Sequence, residues 1–354
     1  MPVNQVHFYH FRSFSDYQAD FSPGCNIIVG PNGSGKTSIL EAIYCLAYGK
    51  SFRARHIRYL LNHQSDFYQL SANYKHLNID QTIQLTFQPP QNLDRKLNGT
   101  PLASPSILAK MMPAVFIDTG THRSFAQTPK YRRDYLNWCC FYRFPRYQSA
   151  IQRYNRILSQ RNHYLKQARV LGQEGLKVWD EPLVYYASIL HEDRLSMLRE
   201  LQVCLSDMMK TLAPHLPDIH MTYLPGWPQG KVFSDVLSAT ITQDIQSGFS
   251  QNGPHRADLK LEIDKQYSVH KYFSEGQQKL LSYALKLSQL KLLQNFDADA
   301  PGLLLVDDLP AELDRRSRHA VLDYLLNANN QCFITGLASQ DFPQGQPSTI
   351  IELA

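Results

Sequence analysis

The octapeptide Gly30-Pro31-Asn32-Gly33-Ser34-Gly35-Lys36-Thr37 constrains this chain more than any other stretch. It satisfies G-x-x-x-x-G-K-[ST], a loop whose mechanics require a strand before it and a helix after it. Both are legible. Asn26-Ile27-Ile28-Val29 is a short apolar run of the kind that forms a buried strand, and Thr37 to Tyr44 carries apolar residues at helical spacing. Strand, glycine-rich turn and helix together aim several backbone N–H groups and the positive end of a helix dipole at one point, which suits a polyphosphate. In such a loop Lys36 reaches the β- and γ-phosphates and the Thr37 hydroxyl ligates Mg²⁺. The stretch therefore predicts a site for ATP and Mg²⁺ built on Gly30 through Thr37.

A chain of 354 residues has room for two lobes, each with its own core, and 43% hydrophobic against 19% charged residues is a globular balance. No run reaches the roughly 18 apolar residues of a bilayer span, and Met1-Pro2-Val3-Asn4-Gln5 does not read as a secretory signal. The cysteines Cys25, Cys45, Cys139, Cys140, Cys204 and Cys332 have no metal-ligand spacing, so buried, reduced thiols of a cytosolic protein are expected. A net charge of +5 is only mildly basic; its distribution says more.

In chain order, Val3 to Tyr9 alternates as a strand, and Phe11-Arg12-Ser13-Phe14 reads as a turn into a second one. Tyr68 to Ala72 and Gln81 to Phe87 alternate at period two, Asn98-Gly99 marks a hairpin turn, and Val115-Phe116-Ile117 is a further buried strand. Between Thr121 and Val170 the composition changes: eleven Lys/Arg face one acid, Asp134, with ten aromatics interleaved. Ile151, Tyr154, Leu158 and Leu165 keep a helical stripe there, which predicts a long basic helix or helix pair. Helix continues over Asp180 to Leu212 and again from Gln277 to Gln294. Leu303 to Val306 is a fully apolar strand of the parallel-sheet type, and Gln331 to Gly336 reads as another strand.

Leu303-Leu304-Leu305-Val306 ends in Asp307-Asp308. A buried strand delivering a carboxylate at its end places Asp307 on a Mg²⁺ ion, and Asp308 beside it is a candidate to orient or deprotonate the attacking water. Ser274-Glu275-Gly276-Gln277-Gln278 lies 33 residues before Asp307 and directly ahead of a long apolar helix. A hydroxyl, a glycine N–H and a helix N-terminus together are again anion-binding chemistry, so Ser274 and Gly276 join the candidate nucleotide site.

This ordered set resembles the ABC-type ATPases, with Ser274 to Gln277 as the signature, Glu312-Leu313-Asp314 as a D-loop and Thr335 at the switch position. Finer matches resemble the DNA-repair branch related to the structural-maintenance-of-chromosomes proteins: Phe11-Arg12, Leu40-Glu41-Ala42-Ile43, Ser51-Phe52-Arg53, Pro129-Lys130-Tyr131-Arg132-Arg133 and Gly253-Pro254-His255-Arg256. The resemblance spans nearly the whole chain. In the ABC class the signature of one chain completes the nucleotide site of another, which implies an ATP-dependent homodimer. The usual catalytic Glu is here Asp308, the switch His is Thr335 and the expected D-loop Ser is Ala311. The shorter acid implies slow hydrolysis. No Q-loop glutamine stands out, Gln127 being one candidate.

What the resemblance implies is an α/β fold: an ATPase head from both chain ends, residues 1–115 and 285–354, with an inserted mainly helical lobe over 116–284. It further implies an ATP-dependent clamp of recombinational repair and replication restart on duplex DNA near single-strand gaps. Such a clamp works with RecO- and RecR-type mediators to load RecA, as a weak DNA-stimulated ATPase. Arg132, Arg133, Arg146, Arg153 and Arg156 of the basic segment are the expected phosphate contacts. The alternative class, the motor subunit of a membrane transporter, normally carries Glu and His where this chain has Asp308 and Thr335. A coiled-coil relative would need hundreds of heptad residues, and only 238 residues separate Lys36 from Ser274.

Overall fold

A computed structural model describes residues 3–76, 79–90, 93–168, 172–296, 302–309, 313–342 and 348–353. The chain divides into two compact units. The first comprises Met1–His122, Lys210–Pro214 and Glu275–Ala354; the second comprises Arg123–Met209 and His215–Ser274. A break at 115/116 would cut a strand, Ala114–Ile117, and one at 284/285 would cut the helix Glu275–Phe296. The structure keeps both elements whole, so its boundaries lie further along the chain at the first break and further back at the second.

The first unit holds a parallel sheet of five strands: β3 (Cys25–Val29), β8 (Ala114–Ile117), β12 (Leu303–Val306), β13 (Gln331–Gly336) and β14 (Ser348–Glu352). Their order across the sheet is β14-β3-β13-β12-β8. Every residue of β3, β12 and β13 is buried, which is why these strands are mostly apolar without alternation, the buried polar residues being Asn26, Gln331 and Thr335. A second sheet is antiparallel and contains β1 (Val3–Phe11), β2 (Phe14–Asp20), β4 (Tyr68–His76), β5 (Ile79–Phe87), β6 (Asp94–Leu97) and β7 (Thr100–Pro101), ordered β2-β1-β4-β5-β6-β7. Asn98 and Gly99, with φ of 50° and 80°, make the two-residue turn between β6 and β7 that their sequence predicts.

Helix α1 (Lys36–Tyr48) shares one core with residues of both sheets. Ile39, Leu40, Ala42, Ile43 and Leu46 are buried with Phe8, Tyr68, Leu70 and Leu85 of the antiparallel sheet and with Ile28, Leu305 and Phe333 of the parallel one. A helix apolar on nearly all sides has to be enclosed in this way. Gln331, at the start of β13, accepts from the Val3 N–H at 2.7 Å and donates to Val3 O and Ser22 O, so it ties that strand to the chain's beginning.

The second unit is mainly helical. It contains the helices Pro129–Arg143 and Tyr147–Leu165 and most of Lys177–Leu212. Beside them is an antiparallel sheet of β9 (Ile219–Leu224), β10 (Asp258–Ile263) and β11 (Tyr267–Ser268), with β10 in the middle. All six cysteines are free thiols and buried. Among the described residues no helix is long and apolar enough to cross a membrane.

Candidate functional site

β3, β12 and β13 are parallel neighbours, so their carboxyl ends open on one edge of the sheet, the edge at which such sheets receive ligands. Gly30 follows β3, Asp307 and Asp308 follow β12, and Thr335 is the penultimate residue of β13. The loop from Gly30 to Gly35 leads directly into α1. Gly35 is required twice over: its φ is +101°, and a Cβ there would lie 2.5 Å from Phe14 Cζ. Lys36 Nζ donates to Gly30 O at 2.6 Å and Pro31 O at 2.8 Å, which lays the ammonium across the loop. Ser34 Oγ is buried and has no hydrogen-bond partner among the described residues. A buried hydroxyl without a partner at the floor of such a loop fits a ligand rich in acceptor oxygens.

Thr37 Oγ1 lies 3.0 Å from each carboxylate oxygen of Asp307. Thr335 Oγ1 donates to Asp307 Oδ1 at 2.7 Å and accepts the Asp308 N–H at 2.8 Å. Thr37 and Asp307 are hard oxygen donors side by side, the set that suits Mg²⁺, an ion that keeps several waters and takes its remaining ligands from phosphate. Asp308 has φ +55°. Burial, with the neighbouring Asp307 charge, pushes its carboxyl above the ordinary carboxylate range, while Lys36 pulls it back. Asp341, which the sequence did not single out, adds to the upward push from the turn Ser339–Asp341.

Ser274, the last residue of the second unit, and Gly276, in the first turn of the helix Glu275–Phe296, are both exposed. A Cβ on Gly276 would meet only open space. The described partners of Lys36, Thr37 and Asp307 come from the chain's own strand ends, and neither Ser274 nor Gly276 is among them. Of the D-loop expectation, Ala311 and Glu312 lie outside the described residues. Asp314 is the N-cap of the helix Arg315–Asn327, accepting the Arg316 and Ser317 N–H groups. Those bonds, Ser317's first, hold its carboxyl below the usual value. Gln127 is exposed and lies in the second unit.

Three of the resembling motifs converge on one carboxylate. Glu41 is fully buried, accepts two bonds of 2.8 Å from Arg12, and also accepts the Ser51 hydroxyl. Ser51 Oγ in turn accepts the N–H groups of Arg53 and Ala54, and Arg12 Nη1 donates to Tyr59 O. Arg12, Glu41 and Ser51 are thus a scaffold that fixes the segment after α1, a role their sequence separation conceals.

The arginines of the basic segment fall into buried and exposed sets. Arg132 is 8% exposed and makes a two-pronged ion pair with Asp258, both bonds 2.8 Å. Arg146 pairs with Asp193 at 2.6 Å and Glu192 at 3.4 Å. Arg133 donates to Ala257 O, and burial followed by the Arg194 charge lowers its guanidinium pKa. Arg153 and Arg156 are exposed on the helix Tyr147–Leu165, Arg153 donating to the Tyr186 hydroxyl. Arg161 on the same helix is fully buried between Asp180 and Asp244, each at 2.7 Å. Arg132 and Arg161, so engaged and buried, serve the packing of the second unit, whereas Arg146 keeps an exposed side chain beside its acids.

Comparison with known proteins agrees with this architecture. The family described as RecF/RecN/SMC N terminal domain matches residues 2–352. The DNA replication and repair protein RecF of Shewanella piezotolerans is 33% identical over 337 residues, covering 95% of this chain and 92% of its own. That of Psychromonas ingrahamii is 32% identical over 358 residues, covering 100% and 98%. Among solved structures, the recombination mediator protein RecF-ATPrS of the RecFOR pathway superimposes with a TM-score of 0.87 at 26% identity, over 97% of this chain and 94% of that one. An SMC head bound to the C-winged helix domain of ScpA shares the fold alone, with a TM-score of 0.56 at 16% identity over 95% of this chain and 90% of that one. With relatives above 30% identity along essentially the full length and a family match from residue 2 to residue 352, the chain belongs to the RecF family of DNA replication and repair proteins.

Proposed function

We propose that this chain binds ATP with Mg²⁺ on the carboxyl edge of its parallel sheet, hydrolyses it slowly, and uses the bound nucleotide to close a homodimer on duplex DNA. The observation that carries the reading is the meeting of the Gly30–Thr37 loop, Asp307, Asp308 and Thr335 within a hydrogen-bonded set at the ends of three adjacent strands. Lys36 and the loop N–H groups would hold the phosphates, with the Ser34 hydroxyl adding a donor. Thr37 and Asp307 would hold Mg²⁺, which neutralises charge on the phosphoryl oxygens. Asp308 would orient the attacking water. Its carboxylate is one methylene shorter than a glutamate, and its raised pKa improves it as a proton acceptor.

Ser274 and Gly276 are exposed where the helix Glu275–Phe296 begins, which supports their acting in the site of a second copy. For DNA, the exposed row Gln152, Arg153, Asn155, Arg156 and Ser159 of the helix Tyr147–Leu165 carries cationic, amide and hydroxyl donors without a carboxylate on that helix. The pathway named for the solved relatives supports RecO- and RecR-type partners; the clamp would act at single-strand gaps and aid RecA loading. Sedimentation of the full chain with and without ATP, Mg²⁺ and duplex DNA tests the whole reading. A dimer that forms only with ATP and binds duplex is expected. An ATP-indifferent monomer that ignores DNA overturns it.

A further inference from the structure

β12 and β13 run parallel with Val306 opposite Ile334, so the next residues, Asp307 and Thr335, emerge side by side. Thr335 is fully buried, and its hydroxyl is doubly engaged: it donates to Asp307 Oδ1 and accepts the Asp308 N–H. A threonine hydroxyl carries one proton, and here it is donated to Asp307 Oδ1. Thr335 therefore has neither a donor nor an exposed surface to offer a phosphate oxygen, although it occupies the position at which ABC-type sites carry a histidine. Asp308 meanwhile has φ +55°, a conformation non-glycine residues rarely adopt and one that persists only where the surroundings over-determine it. The bond from the Asp308 N–H to Thr335 is the described contact that fixes this peptide.

We propose that Thr335 is a positioning residue for hydrolysis and not a reader of the nucleotide. Its hydroxyl brackets the two aspartates, holding the Asp307 carboxylate towards Thr37 and locking Asp308 in the left-handed turn from which its carboxyl meets the water. This rests on the site hydrolysing ATP, as proposed above. Two features of the bracket are separable. The hydroxyl makes the bonds, while the β-branched carbon skeleton fills the strand.

The test compares Thr335→Val, which keeps the shape and loses the hydroxyl, with Thr335→Ser, which keeps the hydroxyl, in the full-length chain. Single-turnover hydrolysis and equilibrium binding of ATP and of ADP are measured with Mg²⁺ present. Thr335→Val should hydrolyse more slowly by tenfold or thereabouts, roughly the loss of one positioning bond. Its ATP and ADP affinities should stay within about twofold of the parent, the pattern of an interaction that matters only in the transition state. Thr335→Ser should hydrolyse at close to the parent rate. If Thr335→Val instead loses ATP affinity while keeping ADP affinity, Thr335 reads the γ-phosphate and the proposal falls. It also falls if Thr335→Val hydrolyses normally. Should the valine variant fail to fold, Thr335→Ala takes its place, and alanine hydrolysing as well as serine overturns the bracket. A parent chain that binds no ATP refutes the functional reading itself, and shows this before any variant is made.

Discussion

Lys36 and Arg161 are both cations held by oxygens less than 3 Å away, but the oxygens differ in kind. Lys36 faces two neutral carbonyls, Gly30 O and Pro31 O, at the open end of a strand. Arg161 sits fully buried among Asp180, Asp244 and the Ser250 hydroxyl. A buried cation between two carboxylates is charge-matched, and removing either side leaves an uncompensated charge. A cation held by carbonyls has no carboxylate hydrogen-bonded to it, and its neighbourhood carries other unmet groups: the buried hydroxyl of Ser34, the raised carboxyl of Asp308 and that residue's left-handed backbone. The contrast runs through both units. In the first, polar groups at strand ends leave capacity aimed at one point; in the second, arginines close on acids of their own unit. A cation paired with carboxylates, as Arg161 is and as Arg12 is with Glu41 in the first unit, marks scaffold, even though Arg161 Nη2 is left without a partner among the described residues.

The largest effect should come from the cation held by carbonyls. Lys36→Met removes a phosphate contact and no core packing, so ATP-dependent dimerisation should vanish while the unfolding midpoint stays put. A variant still dimerising with normal ATP affinity would move the site elsewhere. Mixing sharpens the point. Ser274→Arg should also be inactive alone, but in heterodimers with Lys36→Met one of two composite sites is intact. Roughly a quarter of parental turnover should then return, given random pairing of two-fold dimers. If heterodimers are shown to form and neither turnover nor nucleotide trapping recovers, the shared site is refuted.

The matched cation should act on stability instead. Arg161→Met leaves Asp244 buried and unpaired, and such a loss costs about 3–5 kcal/mol. A lowered urea midpoint is expected, with ATP affinity retained in whatever remains folded. An unchanged midpoint would mean that this buried charge is not structural, and the comparison of the two cations would fail.

The difference between the two units also explains what could be read in advance. Phosphate-loop chemistry is local: Gly30 to Thr37 are consecutive, and the apolar runs of β3, β12 and β13 announce the strands that carry it. The hairpin at Asn98-Gly99 is local too. The partners of the arginines are not. Arg132 finds Asp258 126 residues away, Arg146 finds Asp193 47 away, and Arg161 finds Asp244 83 away. Counting charges in a window sees eleven cations and one acid, and cannot see acids that the fold brings back to them. The same holds for Glu41, whose link to Arg12 spans 29 residues. Strand β14 gave little signal because it is an edge strand, placed by pairing with β3 rather than by a periodicity of its own.

A smaller effect concerns His255, in the Gly253-Pro254-His255-Arg256 motif. Its Nε2 lies 3.1 Å from Ser250 O, a pure acceptor, so Nε2 carries the proton and Nδ1 accepts the Tyr154 hydroxyl at 2.7 Å. Burial pushes the imidazole down to about 4 from an ordinary 6.5. In the unfolded chain it takes up a proton near pH 6.5, while the folded chain resists until about pH 4. Stability from this group is therefore full above pH 6.5 and is lost as the pH falls towards 4. Between pH 7 and pH 5 the parent should lose about 2 kcal/mol from this group. His255→Asn cannot titrate, so its deficit against the parent should shrink by that amount over the same interval. A deficit independent of pH would show that the histidine titrates alike in both states.

The smallest expected effect decides which arginines meet DNA. Arg132 is buried against Asp258, so replacing it disturbs the second unit before it disturbs any ligand, and the exposed Arg146 is tied to Asp193. Arg153 and Arg156 project from the helix Tyr147–Leu165 into solvent, and the described bond lost on replacing them is the one from Arg153 to Tyr186. Each phosphate neutralised contributes about −0.9 to the slope of log K against log[salt]. The Arg153→Ala, Arg156→Ala double variant should therefore keep its unfolding midpoint and its ATP affinity, and flatten that slope by up to about two units. The comparison with Arg161 is then complete on one helix: the inward arginine moves the midpoint and the outward pair moves the salt slope. If the double variant leaves the slope as it was, the outward face of this helix is merely solvated. The phosphates would then be met by another surface of the molecule, and exposure on a basic helix would not by itself have identified a site.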